Sequence, residues 1–397
     1  MPTKPEARPT AVVIIPTYNE KGNITAAIEA LSEVFRQIKD YQMLTLVVDD
    51  SSPDGTAEIV RQLQKQHKFL KLLVNPRKSG LGGAYLAGMK EAFSTLKAEV
   101  VFEFDADLSH DPSKIPAFLD KLDAGADLVL GSRYIKGGSI PADWGLDRKF
   151  WSICGNLFIN FLMCDFSIRD WTGGFRAIRK RVYQAVEGEL HGKRFSGYTF
   201  QIGFLHKALR KDFKIAEVPF HFKDRTVGHS KIGPEYIKNT LLYLLKIRFK
   251  ELTAFRWVRF GLVGGFGALV QLTALQLWRL LFTTPETFVV ASFLAIETAV
   301  ISNFIWSNLW TFKDRKLTPA QVPLSFVKFN LSSGGSIAIQ SAIAFFGARW
   351  IGLFDLFEVP IIHYMVDTGV IFAIIGILIG MTWNFFAYTT FIWKKQK

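Results

Sequence analysis

Cysteine is scarce in this 397-residue chain: there are two, Cys154 and Cys164, both in one apolar segment. That excludes a disulfide framework and any cysteine-based metal spacing. Acids are outnumbered, 35 against 48 basic residues, so the formal net charge is +13. No recognised nucleic-acid-binding motif accompanies that charge, so no nucleic-acid polymer is expected as a partner. A Walker A loop and a Gly-x-Gly-x-x-Gly fingerprint are also lacking, because Lys78-Ser79-Gly80-Leu81-Gly82-Gly83 matches neither. The first eleven residues are polar and proline-bearing, so no secretory leader is expected and the N-terminal half is expected on the cytoplasmic side. Aromatic residues, by contrast, are plentiful at 14%, with 36 Phe and 10 Trp, which points to lipid.

The N-terminal half is organised around Asp105-Ala106-Asp107-Leu108-Ser109-His110, which follows the apolar run Val100–Phe104. Two carboxylates one residue apart at a strand end suit Mg²⁺ or Mn²⁺, which complete their shells with phosphate and water oxygens. Further apolar runs at 11–15, 44–48 and 70–74 alternate with helical patterns, and a polar loop follows each run. That alternation predicts a doubly wound, mainly parallel α/β sheet with ligands beyond the carboxyl ends of its strands. Asn19/Glu20, Asp49/Asp50 and Asp105/Asp107 then share one rim. Glycines opening the helix 82–96 let backbone N–H groups approach a phosphate, and Arg77 and Lys78 place positive charge beside a diphosphate.

Taken in order, Pro16-Thr17-Tyr18-Asn19-Glu20, Asp49-Asp50-Ser51-Ser52-Pro53-Asp54-Gly55-Thr56, Gly80-Leu81-Gly82, the Asp105–His110 stretch, Gly131-Ser132-Arg133-Tyr134, Gly173-Gly174-Phe175-Arg176 and Asp224-Arg225-x-x-Gly228-x-Ser230-Lys231 resemble family 2 glycosyltransferases of the GT-A (Rossmann-like) fold, and among them the polyprenyl-phosphate (dolichol-phosphate) mannose synthases. The resemblance covers about residues 10–250. It implies that Pro16, Tyr18, Glu20, Asp50, Lys78 and the Asp105-Ala106-Asp107 segment bind the nucleotide sugar, with Asp105 and Asp107 on the metal. Ser109 stands where some relatives carry a metal-binding Gln, and its hydroxyl is a weaker ligand. It implies further that Arg148 and Ser152 contact the phosphate of a lipid acceptor. Arg133, Arg225 and Lys231 are expected to join them, Asp107, Arg133 and Arg225 being the expected catalytic residues. The implied reaction is inverting transfer of a hexose, mannose from GDP-mannose favoured, to a polyprenyl (dolichyl) monophosphate. A UDP-sugar transferase for the same acceptor and a lipid-linked-sugar flippase with a soluble binding module are the alternatives. A processive polysaccharide synthase fits less well, because Arg256-Trp257 has Thr253 where such enzymes carry Gln.

Residues 147–166 predict a helix lying on the membrane, with Ser152, Asn156 and Asn160 as one polar stripe facing the enzyme. The stretch 236–252 mixes Lys238, Lys246, Arg248 and Lys250 with leucines and tyrosines and predicts a basic surface anchor. Four long apolar segments follow, at about 257–282, 287–312, 324–354 and 361–393, each sufficient for the ~20 residues that a span requires. Lys313, Arg315, Lys316 and Lys328 flank the middle loop and Lys394, Lys395 and Lys397 end the chain, which predicts a cytoplasmic middle loop and termini. The segments repeat: Val258-Arg259-Phe260-Gly261 echoes Val327-Lys328-Phe329-Asn330, Gln271 echoes Gln340, and Asn303-Phe304 echoes Asn384-Phe385. This half resembles the GtrA-like four-span proteins. Gly261/Gly265 and Gly376/Gly380 are expected at close helix contacts. Glu297, within the second span, marks either a lipid-phosphate or sugar pathway or, the reading favoured, a hydrogen bond to Ser302, Asn303 or a neighbouring helix. The expected organisation is a catalytic domain at 1–235, interfacial linker helices at 236–255 and a membrane domain at 256–397.

Overall fold

The computed structural model describes residues 8–190, 198–224, 234–284, 287–359 and 364–394. Its Cα packing separates two units, 1–248 and 249–397.

In the first unit, strands β1 (Thr10–Thr17), β2 (Gln42–Asp49), β3 (Leu70–Val74), β4 (Val100–Glu103), β5 (Leu128–Ser132), β6 (Arg176–Arg179) and β7 (Ile215–Pro219) form one sheet in the order β3-β2-β1-β4-β6-β5-β7. Only β6 runs antiparallel to its neighbours. The reason for a largely parallel sheet is visible in β1. Ala11, Val12, Val13, Ile14 and Ile15 are all fully buried. Val12 and Ile14 pack into one core layer, and Ala11, Val13 and Ile15 into the other. A strand covered on both faces needs a continuous apolar run, and helices must supply both covers. Helices α1 (Ile24–Phe35), α2 (Thr56–Leu63), α3 (Gly80–Ser94) and α4 (Ile115–Asp123) connect the first five strands. The chain continues through α5 (Leu146–Met163), α6 (Lys180–Val186), α7 (Tyr198–Leu209) and α8 (Pro234–Leu252).

Gly88 lets α3 sit down on the sheet. A Cβ there would lie 2.6 Å from Ile14 Cγ2 and 2.9 Å from Val48 Cγ2. Both neighbours are β-branched and cannot swing aside. Gly88→Ala should therefore destabilise the first unit by ~1–3 kcal/mol despite the better helix propensity of Ala. A thermal midpoint equal to the parent's would show that the layer yields.

Among its described residues, the second unit holds four helices long and apolar enough to cross a membrane, Arg256–Trp278, Val290–Thr311, Pro319–Trp350 and Thr368–Ile392. Their regular α-helical parts are α9 (Arg256–Trp278), α10 (Phe288–Trp306), α11 (Val322–Trp350) and α12 (Thr368–Ala387). They pack chiefly as two hairpins, α9 with α10 and α11 with α12. The duplication extends to detail: α10 and α12 each run on into a π-helical turn, Ser307–Thr311 and Tyr388–Ile392. The repeat-related Phe312 and Trp393 stack with ring centroids 4.5 Å apart.

Three expectations need correcting. The fourth span is shorter than 361–393, because β8 (Asp355–Val359) pairs with β9 (Tyr364–Asp367) before it. The helix starts only at Thr368, where the Asp367 side chain accepts the Val370 N–H as its cap. Gly376 and Gly380 do meet α11, at Gln340 and Ser336, but a Cβ on Gly265 would touch nothing within 4 Å. The close approach on α9 is at Gly267, against the side chain of Asn303. Glu297 is half-buried, and among the described residues it bonds neither Ser302, Asn303 nor a neighbouring helix.

Candidate active site

The loops after β1, β2 and β4 form the rim, and each contains a non-glycine residue in the left-handed region: Asn19 (φ 59°), Ser51 (φ 56°) and Leu108 (φ 57°). Such conformations persist where surrounding bonds dictate them. Asp49 supplies many of those bonds, accepting from the Thr17 hydroxyl at 2.9 Å, from Ser52 N at 2.8 Å and from the Ser52 hydroxyl at 2.6 Å. The first loop is tied to the second by Asn19 N to Ser52 Oγ, Glu20 N to Thr56 Oγ1 and Lys21 N to Asp54 Oδ2.

Asp50 is buried. Its oxygens accept from Asn75 Nδ2 (2.7 Å), Ser79 N and Oγ (both 2.9 Å) and Gly80 N (2.9 Å). The carboxylate thus satisfies N–H groups at the positive end of α3 and fixes the glycine loop. Lys78 Nζ lies 3.7 Å from the centre of the Tyr18 ring, a cation–π pair at the mouth of that loop. Glu20 accepts from Asn23 Nδ2 at 2.8 Å.

At the end of β4, Asp105 is fixed from several sides. The Tyr85 hydroxyl reaches its Oδ1 at 3.3 Å, and its backbone N–H donates to His110 Nδ1 at 3.1 Å. His110 is therefore protonated on Nε2, which lies 3.7 Å from Asp105 Oδ2. Burial lowers the His110 pKa and favours the neutral ring, which stacks on Phe175. Asp107 Oδ1 accepts from Ser109 N at 3.1 Å, and Ser109 is itself buried. No group of three or more His, Cys, Asp or Glu side chains suited to a metal occurs among the described residues. Two hard carboxylates, with Asp105 38% exposed and Asp107 on a cavity wall, fit an ion that takes its remaining oxygens from a diphosphate and water.

That cavity is about 400 Å³, and Ala106, Asp107, Asn23, Lys223 and Asp224 are among its lining residues. Asp224 links this wall to Arg148, binding both its terminal nitrogens at 2.9 and 3.1 Å, and it accepts the Trp144 indole N–H at 2.6 Å. The Arg148 guanidinium also lies 3.8 Å from the centre of the Trp144 ring. Ser152 Oγ is 2.5 Å from the Tyr134 hydroxyl. Arg133 is nearly buried: its Nε and Nη2 donate to Asp170 at 2.7 Å each, and Nη2 also donates to Thr172 at 2.8 Å. Burial alone would raise the Asp170 carboxyl, but Arg133 and the Gly173 N–H outweigh it and hold it below the usual carboxylate range. Arg225 and Lys231 lie outside the described residues.

Helix α5 carries the predicted stripe inward. Asn156 Oδ1 accepts from Trp171 N at 2.8 Å and Asn160 Oδ1 from Trp171 Nε1 at 2.5 Å. Its other face leaves Phe150, Trp151, Leu157, Phe158 and Phe161 exposed. Trp171 is fully buried, and its carbonyl receives Arg176, which also donates to Gly173 O and Gln201 O. Arg176 lies 3.9 Å from Glu103, both fully buried beneath the Asp105 strand end. Burial pushes the Glu103 carboxyl up to about 7, with Arg176 pulling the other way. Nothing in the sequence marks Asp170, Trp171, Glu103, Trp144 or Asp224 as a partner of these groups. The available signal is the Asn156/Asn160 stripe, which demands a polar partner without saying which.

The sheet order and the acid-bearing rim define a family 2 glycosyltransferase of the GT-A fold, and residues 12–186 match Glycosyl transferase family 2. Residues 259–393 match the GtrA/DPMS transmembrane domain. A dolichol-phosphate mannosyltransferase of Pyrococcus furiosus is 32% identical over 346 residues, 86% of this chain and 90% of that protein. A polyprenol monophosphomannose synthase of Mycolicibacterium smegmatis is 36% identical over 241 residues, 59% of this chain and 86% of that protein. The chain belongs to the polyprenyl-phosphate (dolichol-phosphate) mannose synthase family, with a GtrA-like membrane domain fused to its glycosyltransferase domain. Among solved structures, a mannosyltransferase of Pyrobaculum calidifontis, in complex with GDP-Man and Mn²⁺, aligns with 81% of this chain and 79% of its own at 18% identity. Its TM-score is 0.40, a likeness too slight to bear on donor or metal.

Proposed function

We propose that the protein transfers mannose, with inversion, from GDP-mannose to a polyprenyl (dolichyl) monophosphate at the cytoplasmic membrane face. One observation carries the lipid acceptor. Helix α5 bears Arg148 and Ser152, presents an exposed apolar face, and is bonded on its other face to the loop whose Asp170 holds Arg133. A helix that lies on lipid is thus mechanically tied to the cations expected at the phosphate. The names of the two relatives support mannose as the sugar. Positive charge at the middle loop supports a cytoplasmic site. The organisation proposed is catalytic at 1–235, interfacial at 236–255 and membrane-spanning at 256–397.

In this reaction an oxygen of the acceptor phosphate attacks the anomeric carbon as its bond to the nucleotide diphosphate breaks. The phosphate is already ionised at neutral pH, so no strong general base is needed, and the diphosphate leaves with its negative charge. Asp105 and Asp107 would hold Mg²⁺ or Mn²⁺, which when bound neutralises that leaving charge. Pro16, Tyr18, Glu20, Asp50, Lys78 and Ala106 belong to the proposed donor side; Asp50 acts by fixing the glycine loop. Arg133, Arg148, Ser152, Arg225 and Lys231 belong to the acceptor side. Alignment of the two phosphates accounts for much of the rate.

Offered GDP-mannose, UDP-glucose and UDP-N-acetylglucosamine together over polyprenyl phosphate, the protein should release GDP and spare both UDP-sugars. Release of UDP instead would assign a different donor to the same acceptor. Arg148→Lys loses the fork that meets Asp224 and the stack on Trp144, so it should raise the acceptor KM about tenfold while leaving the donor KM unchanged. Parental kinetics at limiting acceptor would reduce Arg148 to a surface charge.

A further inference from the structure

The hairpin between α11 and α12 has no part in the transfer reaction, yet it is built with care. Gly352 (φ 93°) turns the chain out of α11, and Thr368 opens α12. The base is tied across: Thr368 Oγ1 donates to Gly352 O at 2.8 Å and accepts from Phe354 N at 3.2 Å, and Thr368 N donates to Phe354 O at 3.1 Å. Strands β8 and β9 thus continue two helices of the bundle, at the end away from the middle loop.

A bulge gives this hairpin two unlike faces. Asp355 pairs with Asp367, Phe357 with Val366 and Glu358 with Met365, which leaves Leu356 as the extra residue. Directly paired residues share a face, and successive pairs alternate. Phe357 and Val366 therefore lie on one face, and Asp355, Glu358, Asp367 and Met365 on the other. Without the bulge, Asp355 and Glu358 would fall on opposite faces, because they are an odd number of residues apart. Apolar exposure continues into the base: Phe357 is 59% exposed, and Trp350, Ile351, Leu353 and Phe354 are exposed as well. A two-stranded hairpin alone is marginal in water, and an exposed apolar cluster marks a surface that something covers. The adjoining helices say what covers it. Both are long and apolar enough to cross a membrane, and β8 is separated from α11 by residues 351–354 alone while β9 runs straight into α12. The hairpin therefore emerges at the bilayer surface, a level that favours aromatic side chains. A second copy is a poorer cover. Residues 350–367 contain three acids and no Lys or Arg, so two hairpins edge to edge would set acid against acid. Anionic lipid is disfavoured by the same charge.

We propose that the β8–β9 hairpin lies flat in the interfacial layer of the bilayer, its Phe357/Val366 face among the acyl chains of zwitterionic phospholipid and its Asp355/Glu358 face in water. Lying there, it fixes the depth and tilt of α11 and α12, a role independent of the sugar and acceptor that the first unit handles. It also accounts for a stretch apolar enough to pass for the start of a span. The test uses the full chain in phosphatidylcholine nanodiscs, with Cys154 and Cys164 replaced by Ser. A fluorescent NBD label is placed on single cysteines: Phe357→Cys and Val366→Cys on one face, Asp355→Cys and Glu358→Cys on the other. Lys65→Cys, at an exposed position of the first unit, is the water-exposed control. Phosphatidylcholine with a nitroxide high on its acyl chain should quench the labels at 357 and 366 about threefold or more above the control, and those at 355 and 358 no more than the control. Iodide in the buffer should give the reverse order. Two positions on each face keep the comparison intact if one variant misfolds. Iodide access equal to the control at all four positions would leave the hairpin standing in water. Lipid quenching at all four would embed it without a wet face. Labels at 357 and 366 shielded from both quenchers, with the same cysteines cross-linking between chains, would assign the apolar face to a second copy. Each of these three results overturns the proposal.

Discussion

Asp107→Asn should lower turnover by about a hundredfold or more while the protein stays folded. Asp107 sits on the cavity wall, with Oδ1 accepting from Ser109 N, and an amide oxygen can keep that bond. What the substitution removes is the negative charge proposed to hold a divalent ion against a diphosphate. Metal stabilisation of a departing charge contributes several kcal/mol, and about 1.36 kcal/mol is a factor of ten in rate. Chelation of the parent should reproduce the loss, and Mg²⁺ or Mn²⁺ should restore the parent but not the variant. Full turnover by Asp107→Asn in chelator would remove the metal from the mechanism.

The second large effect concerns Asp170, which never touches substrate in this account. Asp170→Ala should destabilise the first unit by ~3–5 kcal/mol, because it strands the nearly buried Arg133 without its partner. Removing both charges should cost less: Arg133→Met with Asp170→Leu should be more stable than Asp170→Ala alone, although inactive. Thermal melts of the three proteins measure this, and a double variant less stable than Asp170→Ala would show that the pair itself stabilises the fold. The pH dependence has a definite sign. The folded Asp170 carboxyl titrates below its unfolded value, so its contribution is full above the ordinary carboxylate range and fades as pH falls through the lowered value. Acid unfolding should therefore be less steep in the double variant.

Much of the fold could be read from the residues because its signals are local. Ala11–Ile15 is apolar without interruption since both faces are covered, and the acids at 49, 50, 105 and 107 follow strands directly. The polar spacing in α5 was also informative: Ser152, Asn156 and Asn160 at every fourth position required one polar helix face, and the bonds from Trp171 to the two asparagines explain it. What stayed hidden depends on partners far along the chain. Nothing near Arg133 announces Asp170, and nothing near Arg148 announces Asp224. Asp50 resembles a ligand-facing acid until its bonds to Ser79 and Gly80 appear. In the membrane unit, Tyr364–Asp367 is apolar enough to pass for the start of a span, and only pairing with β8 makes it a strand.

The most direct measurement of the central claim is the mass of the lipid formed from polyprenyl phosphate and GDP-mannose by the full-length protein in a bilayer. Direct attack by the acceptor phosphate predicts a gain of one anhydrohexose and no additional phosphate, with GDP released in equal amount. A gain of hexose together with a second phosphate, or donor consumed with the lipid unchanged, would contradict the assignment.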